Sequence, residues 1–551
     1  MRLYGVSPGG LIVRESGDGA GAPGPAAAGM PHPGGWYAHY VLFVLVIVYV
    51  FNFLDRQILS ILNEAIRADL GLRDDQLGFL YGTAFAVFYA VFGLPLGRLA
   101  DVWDRRKLIA IGVAFWSAMT ALSGLAKNFG QLTAARIGVG IGEASASPAA
   151  YSMLGDYYPP ARRATVLAIY SSGIFIGVGL SLGIGGLIVD NWNARFPDGD
   201  APFGLMGWQV AFFVVGLPGL LLAIWVATLR EPVRGMSEGR YTPPEPHPFR
   251  IFLRELRAVV PPFTLLHLWL ERAGPRGFVI NLGAAAVMAL VAAALIAWTG
   301  SVAQWVALAI GLYASFSWAQ SLIGRDRPTF RLLLGTPAIR WTAFGFGFLA
   351  FVGYAISYWT APFFIRVHGI STAQVGLIIG GTAAAAGFLG VTLGGMLADH
   401  LRRRWPNGRI WVGMIVATVP LPLGWFVYTT DSTLLALIVN VPLTLVLAMW
   451  MGPGASTMQD LVLPRMRGTS GALFLLAVTF LGLALGPYTV GQISTIYDGD
   501  LSRALLTGLT VNVLAAACLL MCMRHLPHDE RSLVERAREA GEIIEQAPPA
   551  A

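Results

Sequence analysis

Gly97-Arg-Leu-Ala-Asp101, followed by Arg105, Arg106 and Lys107, returns in the second half of the chain as Gly395-Met-Leu-Ala-Asp399, followed by Arg402, Arg403 and Arg404. Each copy stands where a long apolar run ends. A second echo trails the first, because Asp156, Pro160, Arg163 and Thr165 recur at the same internal spacing as Asp460, Pro464, Arg467 and Thr469. Two echoes in register, each with a short basic turn between apolar segments, indicate a duplicated helical membrane protein built from two related bundles.

Composition points the same way. A mean hydropathy of +0.62 with 13% charged residues places the chain in a lipid solvent. Runs long enough to cross a bilayer, about 20 residues each, begin near Trp36, Gln76, Lys107, Gln131, Arg163 and Trp208, and again near Arg340, Thr372, Arg409, Ser432, Thr469 and Leu501. Two further apolar runs, Phe278 to Thr299 and Ser301 to Ile323, are separated by Gly300 and read as a hairpin inserted between the halves. The expected architecture is all-α and integral to the membrane, with about 14 transmembrane helices. It divides into a disordered tail (1–35), a six-helix bundle (36–230), a linker carrying the hairpin (231–339, hairpin 278–323), a second six-helix bundle (340–524) and a second tail (525–551). The hairpin reads as an appendage, since the echoes bracket the same core without it.

Basic residues fix the orientation. Arg105, Arg106, Lys107, Arg162, Arg163, Arg402 to Arg404, Arg465 and Arg467 fall in alternate loops, while the opposite loops carry Asp74, Asp75, Asp190, Asp198, Asp431 and Asp498. Both termini are therefore expected to be cytoplasmic in a multi-pass protein of the inner (plasma) membrane. This bias accounts for most of the formal charge of +7 and argues against a nucleic-acid partner. The first 35 residues lack the apolar core of a signal peptide. Weakly amphipathic stretches at Ile251 to Val260 and Asp529 to Gln546 suit the membrane surface. Cys518 and Cys522 lie one helical turn apart and the histidines are scattered, so no disulfide framework, metal site or cofactor is expected. Lys107 and Lys127 are the only lysines and neither follows a Gly, and His-Glu-x-x-His and Gly-x-Ser-x-Gly do not occur. These absences leave an enzyme without support.

Charges that interrupt apolar runs carry the functional reading. Asp55 and Arg56 lie in the first span, Arg136 and Glu143 in the fourth. An Arg or Asp at mid-membrane costs at least about 2.5 to 3.5 kcal/mol on insertion scales, so such residues face a bundle interior or a wet cavity. Seven positions on a helix place Arg136 and Glu143 on nearly one face, about 10.5 Å apart along the axis. A static pair locking two helices is the plainer reading. Apolar packing could replace it at equal or lower free energy, however, whereas a carboxylate that gains and loses an Arg partner can bind and release a proton. Gly138, Gly140, Gly142 and Pro148 in the fourth span, and Gly482, Gly486, Pro487 and Gly491 in the eleventh, permit close packing and bending.

The repeated basic turn suits a latch of Gly97, Asp101, Arg105, Asp156, Asp399, Arg403 and Asp460. Asp101 and Arg105 would meet the start of the eleventh span and Asp156, and Asp399 and Arg403 the start of the fifth and Asp460. Each pair would contribute about 0 to 1 kcal/mol at the surface.

Gly-x-Leu-Ala-Asp-x-x-x-Arg-Arg after the second of twelve core spans, with Arg136-x-x-x-Gly140-x-Gly142 in the fourth, resembles the major facilitator superfamily from about Trp36 to Arg524. Asn52-Phe-Leu-Asp-Arg56 with Gly142-Glu-Ala-Ser145 resembles its Spinster branch, whose members move lysolipids and sphingoid phosphates. The resemblance implies Asp55 and Glu143 as the protonatable pair and Arg136 as their switching partner. Asp104 departs from the usual Gly of the loop motif, the fifth-span Gly-Pro of drug antiporters is missing, and the hairpin is foreign to twelve-span relatives.

The second half offers aromatic and uncharged polar groups at Tyr354, Tyr358, Trp359, Asn440, Thr444, Trp450 and Met458, with Gln459, Tyr488 and Thr489 nearby. Taken singly, such aromatics are ordinary core or interfacial anchors. Together with Arg56 and Arg136 they suit an amphiphile with its polar head near the guanidinium groups. The expected protein is a monomeric, proton-coupled carrier that exports a lipid-like or amphiphilic anion by alternating access. An importer of small carboxylates is the rival reading, and a non-transporting receptor a more distant one.

Overall fold

The computed structural model describes residues 35–197, 200–238, 245–271 and 274–542. The expected disordered tail thus falls, through residue 34, outside the described residues, and the surface stretch expected to end at Gln546 is described only through residue 542. Among the described residues every regular element is helical. In hydrocarbon the backbone has no water to bond, and a helix satisfies its polar groups within the segment.

Among the described residues twelve helical runs are long and apolar enough to cross a membrane, two of them the hairpin helices Gly274–Thr299 and Val302–Gly324. The other ten are core spans: the first (Trp36–Leu70), second (Asp74–Val102), fifth (Pro160–Arg195), sixth (Gly207–Ala227), seventh (Pro337–Arg366), eighth (Thr372–Arg404), ninth (Gly408–Thr429), tenth (Thr433–Asp460), eleventh (Pro464–Ile496) and twelfth (Leu501–Arg531). The difference from the expected count of about fourteen is the third and fourth spans. Arg105, Arg106 and Lys107 occupy the first turn of the third (Arg105–Ser123). The fourth is broken at residues 144–145 into Phe129–Glu143 and Ala146–Tyr157, each too short to cross alone.

The two bundles meet along two seams, first and second spans against seventh and eleventh, and fifth against eighth. On the face opposite the basic loops, hereafter the far side, these seams are tightly shut. A Cβ on Gly78 of the second span would fall on the Pro487 carbonyl of the eleventh, and one on Gly376 of the eighth would fall on the Leu182 carbonyl of the fifth. Bare glycine lets the backbones touch at both places. The eleventh span is π-helical from Val478 to Ala484, where Thr83 donates to the Ala484 carbonyl at 2.7 Å.

The hairpin packs on the core. Gly311, on its second helix, lies against Val87 of the second span and Phe480 of the eleventh. Ser301, at its far-side tip, donates to Asp75 of the second span (2.9 Å) and Gln492 of the eleventh (3.2 Å). The linker helix Pro248–Val259 does not lie free on the membrane surface: it buries Ala258 and Val259, and Phe249 meets Trp103 at the second span's end. Residues 533–539 likewise fold back on the second bundle, burying Ala537, while Asp529 accepts the Ala338 amide at 2.9 Å.

Candidate functional site

Successive turns of the first span direct Asn52, Asp55, Arg56, Gln57 and Ser60 inward, and all five are buried. Arg56 donates to Glu143 at 2.7 Å and reaches Asn52 at 3.5 Å. Its guanidinium carbon lies 4.7 Å from the Phe53 ring centroid, 4.3 Å from that of Phe85 and 5.3 Å from that of Tyr89. Arg136 donates to the backbone carbonyl of Asp55 at 3.2 Å. Asp55, Arg136 and Glu143 are each 0% exposed.

All four charges therefore converge, with one change of partner: Arg56 holds the Glu143 carboxylate where the sequence favoured Arg136. Glu143 lies seven residues beyond Arg136 on a helix that breaks just after it, so it reaches a different level of the first span. Satisfaction is incomplete. By strict hydrogen-bond geometry both Asp55 carboxylate oxygens, Glu143 Oε1 and Arg136 Nε and Nη2 have no partner among the described residues, while Trp116 and Thr120 stand beside Asp55 as donors facing it. Groups left unpaired in so low a dielectric are costly, and a proton arriving or a partner shifting would relieve them.

A cavity of about 180 Å³ adjoins this cluster between the bundles. Arg56, Gln57 and Tyr81 form its polar wall, and Phe175, Tyr354, Thr444, Leu447 and Trp450 are among the residues that close it. Of the residues expected to meet substrate, Arg56, Tyr354, Thr444 and Trp450 line this cavity. Arg136, Tyr358, Trp359, Asn440 and Met458 do not line it. Tyr358 accepts from Asn63 (2.7 Å), donates to the Leu77 carbonyl (3.1 Å) and stacks on Tyr81, clasping one bundle to the other. Trp359 donates to the Pro487 carbonyl at 2.9 Å within its own bundle. Asn440 is buried with both amide atoms unpaired among the described residues, and Met458 is core. Helical phase accounts for the two seventh-span residues: the face on the cavity runs through Gly353, Ile356, Ser357 and Thr360, and Tyr358 and Trp359 point away from it toward the second and eleventh spans.

Sequence reasoning missed two features. Gln57 joins the halves by donating to the Ser357 carbonyl (3.1 Å) while accepting from Tyr81 (2.7 Å). At the far side, Arg366 grips Glu64 (2.6 Å) and Asp74 (2.7 Å), and Asp74 also accepts from Ser494 at 2.6 Å. Charges at span ends are ordinary, and only their partners mark these as a clasp.

At the basic-loop ends the described pairs stay within one bundle. Arg105, buried, binds Asp156 (2.5 Å), Glu231 (2.7 Å), Ser152 (2.9 Å) and the Pro232 carbonyl (3.0 Å). In the second bundle Arg409, not Arg403, pairs with Asp460. The eighth helix runs on through Arg404, leaving Arg403 exposed, so the first turn of the ninth span takes the place that Arg105 holds in the third. Asp101 pairs with Arg98 (3.3 Å) and Asp399 with Arg409 (3.8 Å), and neither reaches the opposite bundle. Gly97 faces Pro148 at ordinary contact distance.

Two similar bundles shut on one side over a central cavity define a carrier of the alternating-access type. The chain belongs to the Major Facilitator Superfamily, whose family model matches residues 45–487. An MFS-type efflux pump of Mycolicibacterium smegmatis is 26% identical over 478 residues, 87% of this chain and 89% of that protein. Protein spinster of Drosophila melanogaster is 26% identical over 459 residues, 83% of this chain and 62% of the relative. A probable L-galactonate transporter of Escherichia coli matches a shorter stretch, 33% over 191 residues, 34% of this chain and 39% of that protein. Among solved structures, a bacterial homologue of the human lysosomal transporter Spinster, inward-facing and occupied, aligns with a TM-score of 0.68 at 25% identity over 90% of this chain and 98% of its own. The chain is a multi-pass membrane transporter that resembles the Spinster branch.

Proposed function

We propose that this transporter is driven by protons and exports a lipid-like or amphiphilic anion. The observation that carries the reading is the placement of Asp55, Arg56, Arg136 and Glu143 as one buried, partly unpaired cluster whose Arg56 forms the polar wall of an otherwise largely apolar cavity. Asp55 and Glu143 take up the proton, Arg136 and Arg56 exchange between them, and the substrate's anionic head engages Arg56 while its tail lies along Tyr354, Leu447 and Trp450. A bound anion and the ionised Glu143 carboxylate compete for the same guanidinium, so anion binding and protonation of the carboxyl are linked, which couples the two fluxes.

In this reading the basic loops face the cytoplasm with both termini, the membrane is the inner (plasma) membrane, and the closed far side makes the conformation inward-facing. The protein works as a monomer whose residues 36–230 and 340–524 move against each other, and Asp101 and Asp399 latch the basic-loop side in the opposite conformer. The shorter likeness to a probable L-galactonate transporter favours a second reading, import of small carboxylates clamped by Arg56 or Arg136. Proteoliposomes under an imposed pH gradient separate the two. Lysophospholipids of increasing acyl length should be transported with a clear optimum, and hexonates should not. Gradient-driven hexonate uptake with no amphiphile transport would replace the first reading by the second.

A further inference from the structure

The far-side tip of the hairpin borders a second cavity, which shares no lining residue with the central one. Gly300, at φ +73°, turns the chain between the two hairpin helices, and the second begins at Val302 with Ser301 as its N-cap. A serine there ordinarily bonds an amide of the first turn. Here the hydroxyl is drawn away to Asp75 and Gln492 and makes no cap. The amides of Val302, Ala303 and Gln304, which a helix start leaves without intrahelical partners, therefore gain none from the cap and have no partner among the described residues. They open a helix of 24 residues, whose N-terminal end carries roughly half a positive charge.

Three further observations fix what that end faces. A cavity of about 350 Å³ adjoins it, lined by residues 300–304, by Arg73 just before the second span, by Asp75, Gln76 and Phe79 within it, and by Phe129 and Tyr488. Gln304 lines this cavity at 1% exposure with both side-chain atoms unpartnered among the described residues, a cost that a ligand able to accept from its amide would remove. Arg73 spends Nε and Nη2 on Asp75, both at 2.9 Å, which balances that carboxylate and leaves Nη1 available. Uncapped amides, an unpaired carboxamide and a guanidinium edge around one space suit a tetrahedral oxyanion. Phe79 and Phe129, with ring centroids 5.7 Å apart, and Val302 supply an apolar flank. Trp298, 81% exposed beside the tip, marks the level at which membrane headgroups lie.

We propose that the hairpin tip binds a phosphoryl group on the far side of the membrane, carried by a phospholipid headgroup or present as free phosphate. Because its walls come from the second and eleventh spans and the hairpin, an occupant favours the conformer in which those elements are together. The site stands independently of which substrate the transporter carries.

The test uses the full chain in dodecyl maltoside without phosphate, titrated with dihexanoyl phosphatidylglycerol, with inorganic phosphate and with dihexanoylglycerol, and read by native mass spectrometry and melting temperature. The phospholipid should bind saturably at one copy, the uncharged glyceride should not, and binding should survive Arg56→Gln, which disables the central cavity. Gln304→Leu should weaken it at least tenfold. Val302→Pro, which deletes one amide donor at the helix position that best tolerates proline, should weaken it without lowering the melting temperature of the unliganded protein. Competition by millimolar phosphate identifies the anion itself as the ligand, and its absence assigns the site to the whole headgroup. Equal binding of the glyceride, or affinity unchanged in both well-folded variants, overturns the proposal.

Discussion

Arg366→Gln should open the far side. Arg366 donates to Glu64 at 2.6 and 3.1 Å, to Asp74 at 2.7 and 2.9 Å, and to the Gly499 carbonyl at 3.1 Å. Glu64 and Asp74 belong to the first bundle and Arg366 to the second, so the clasp exists only while that side is shut. The Asp74 side chain is 2% exposed. Removing one partner of a buried pair costs about 3 to 5 kcal/mol, much of it from the stranded charge. Ser494 at 2.6 Å and Arg67 at 3.4 Å still attend Asp74, which puts the loss near the lower end, about 3 kcal/mol. Every 1.4 kcal/mol is tenfold, so the equilibrium should move toward the opposite conformer by about a hundredfold. Spin labels at Ala68→Cys and Val367→Cys, in a background without Cys518 and Cys522, would read this by pulsed electron resonance as a longer distance population. Arg366→Lys, which keeps the charge and loses the fork, should shift less. An unchanged distance distribution in Arg366→Gln would refute the assignment of the clasp to the closed state.

Arg105→Gln should destabilise the first bundle by about 3 kcal/mol or more, because it strands Asp156 and Glu231 around a guanidinium that is 1% exposed, whereas Arg409→Gln, at a more exposed pair, should cost about 1 kcal/mol. Melting curves of the two variants check the order, and equal losses would contradict it. Partial burial pushes the Asp326 carboxyl up, but hydrogen bonds from Arg465 and Thr329 outweigh it and hold the group below its ordinary value. A depressed acid contributes stability above its unfolded pKa and loses it as pH falls through the folded one. Hydrogen exchange of residues 327–335, corrected for intrinsic rates, should therefore stay protected between about pH 7 and pH 5 and rise only below the usual carboxylate range, and loss of protection above pH 5 would contradict the pairing. Asp101→Asn removes only an exposed 3.3 Å pair with Arg98, so it should change the stability of the present conformer by less than about 0.5 kcal/mol while increasing the population open at the basic loops. A large drop in melting temperature would show a structural role in place of a latch.

The spans, their pairing into two bundles and the four buried charges were legible because each rests on a one-dimensional signal: an apolar run, an echo at fixed spacing, a charge where lipid forbids one. Partner choice was not. Whether Arg56 or Arg136 reaches Glu143 depends on helix rotation and on the break after Glu143, and Arg409 replaces Arg403 because the eighth helix continues one turn beyond the echo. The same limit hid the inward faces of the seventh span: Tyr354 and Tyr358 are one turn apart, yet only the first lines the cavity. Arg366, Glu64 and Asp74 looked like ordinary span-end charges until the fold brought them together.

The central claim is that Asp55 and Glu143 carry the coupling proton. Purified wild type, Asp55→Asn and Glu143→Gln, reconstituted at equal density, would be assayed for transport of a lysophospholipid with and without an imposed pH gradient. The gradient should accelerate the wild type and leave both variants at their gradient-free rate, with folded, monodisperse protein in each case. Gradient-driven transport at the wild-type rate in both variants would contradict the claim.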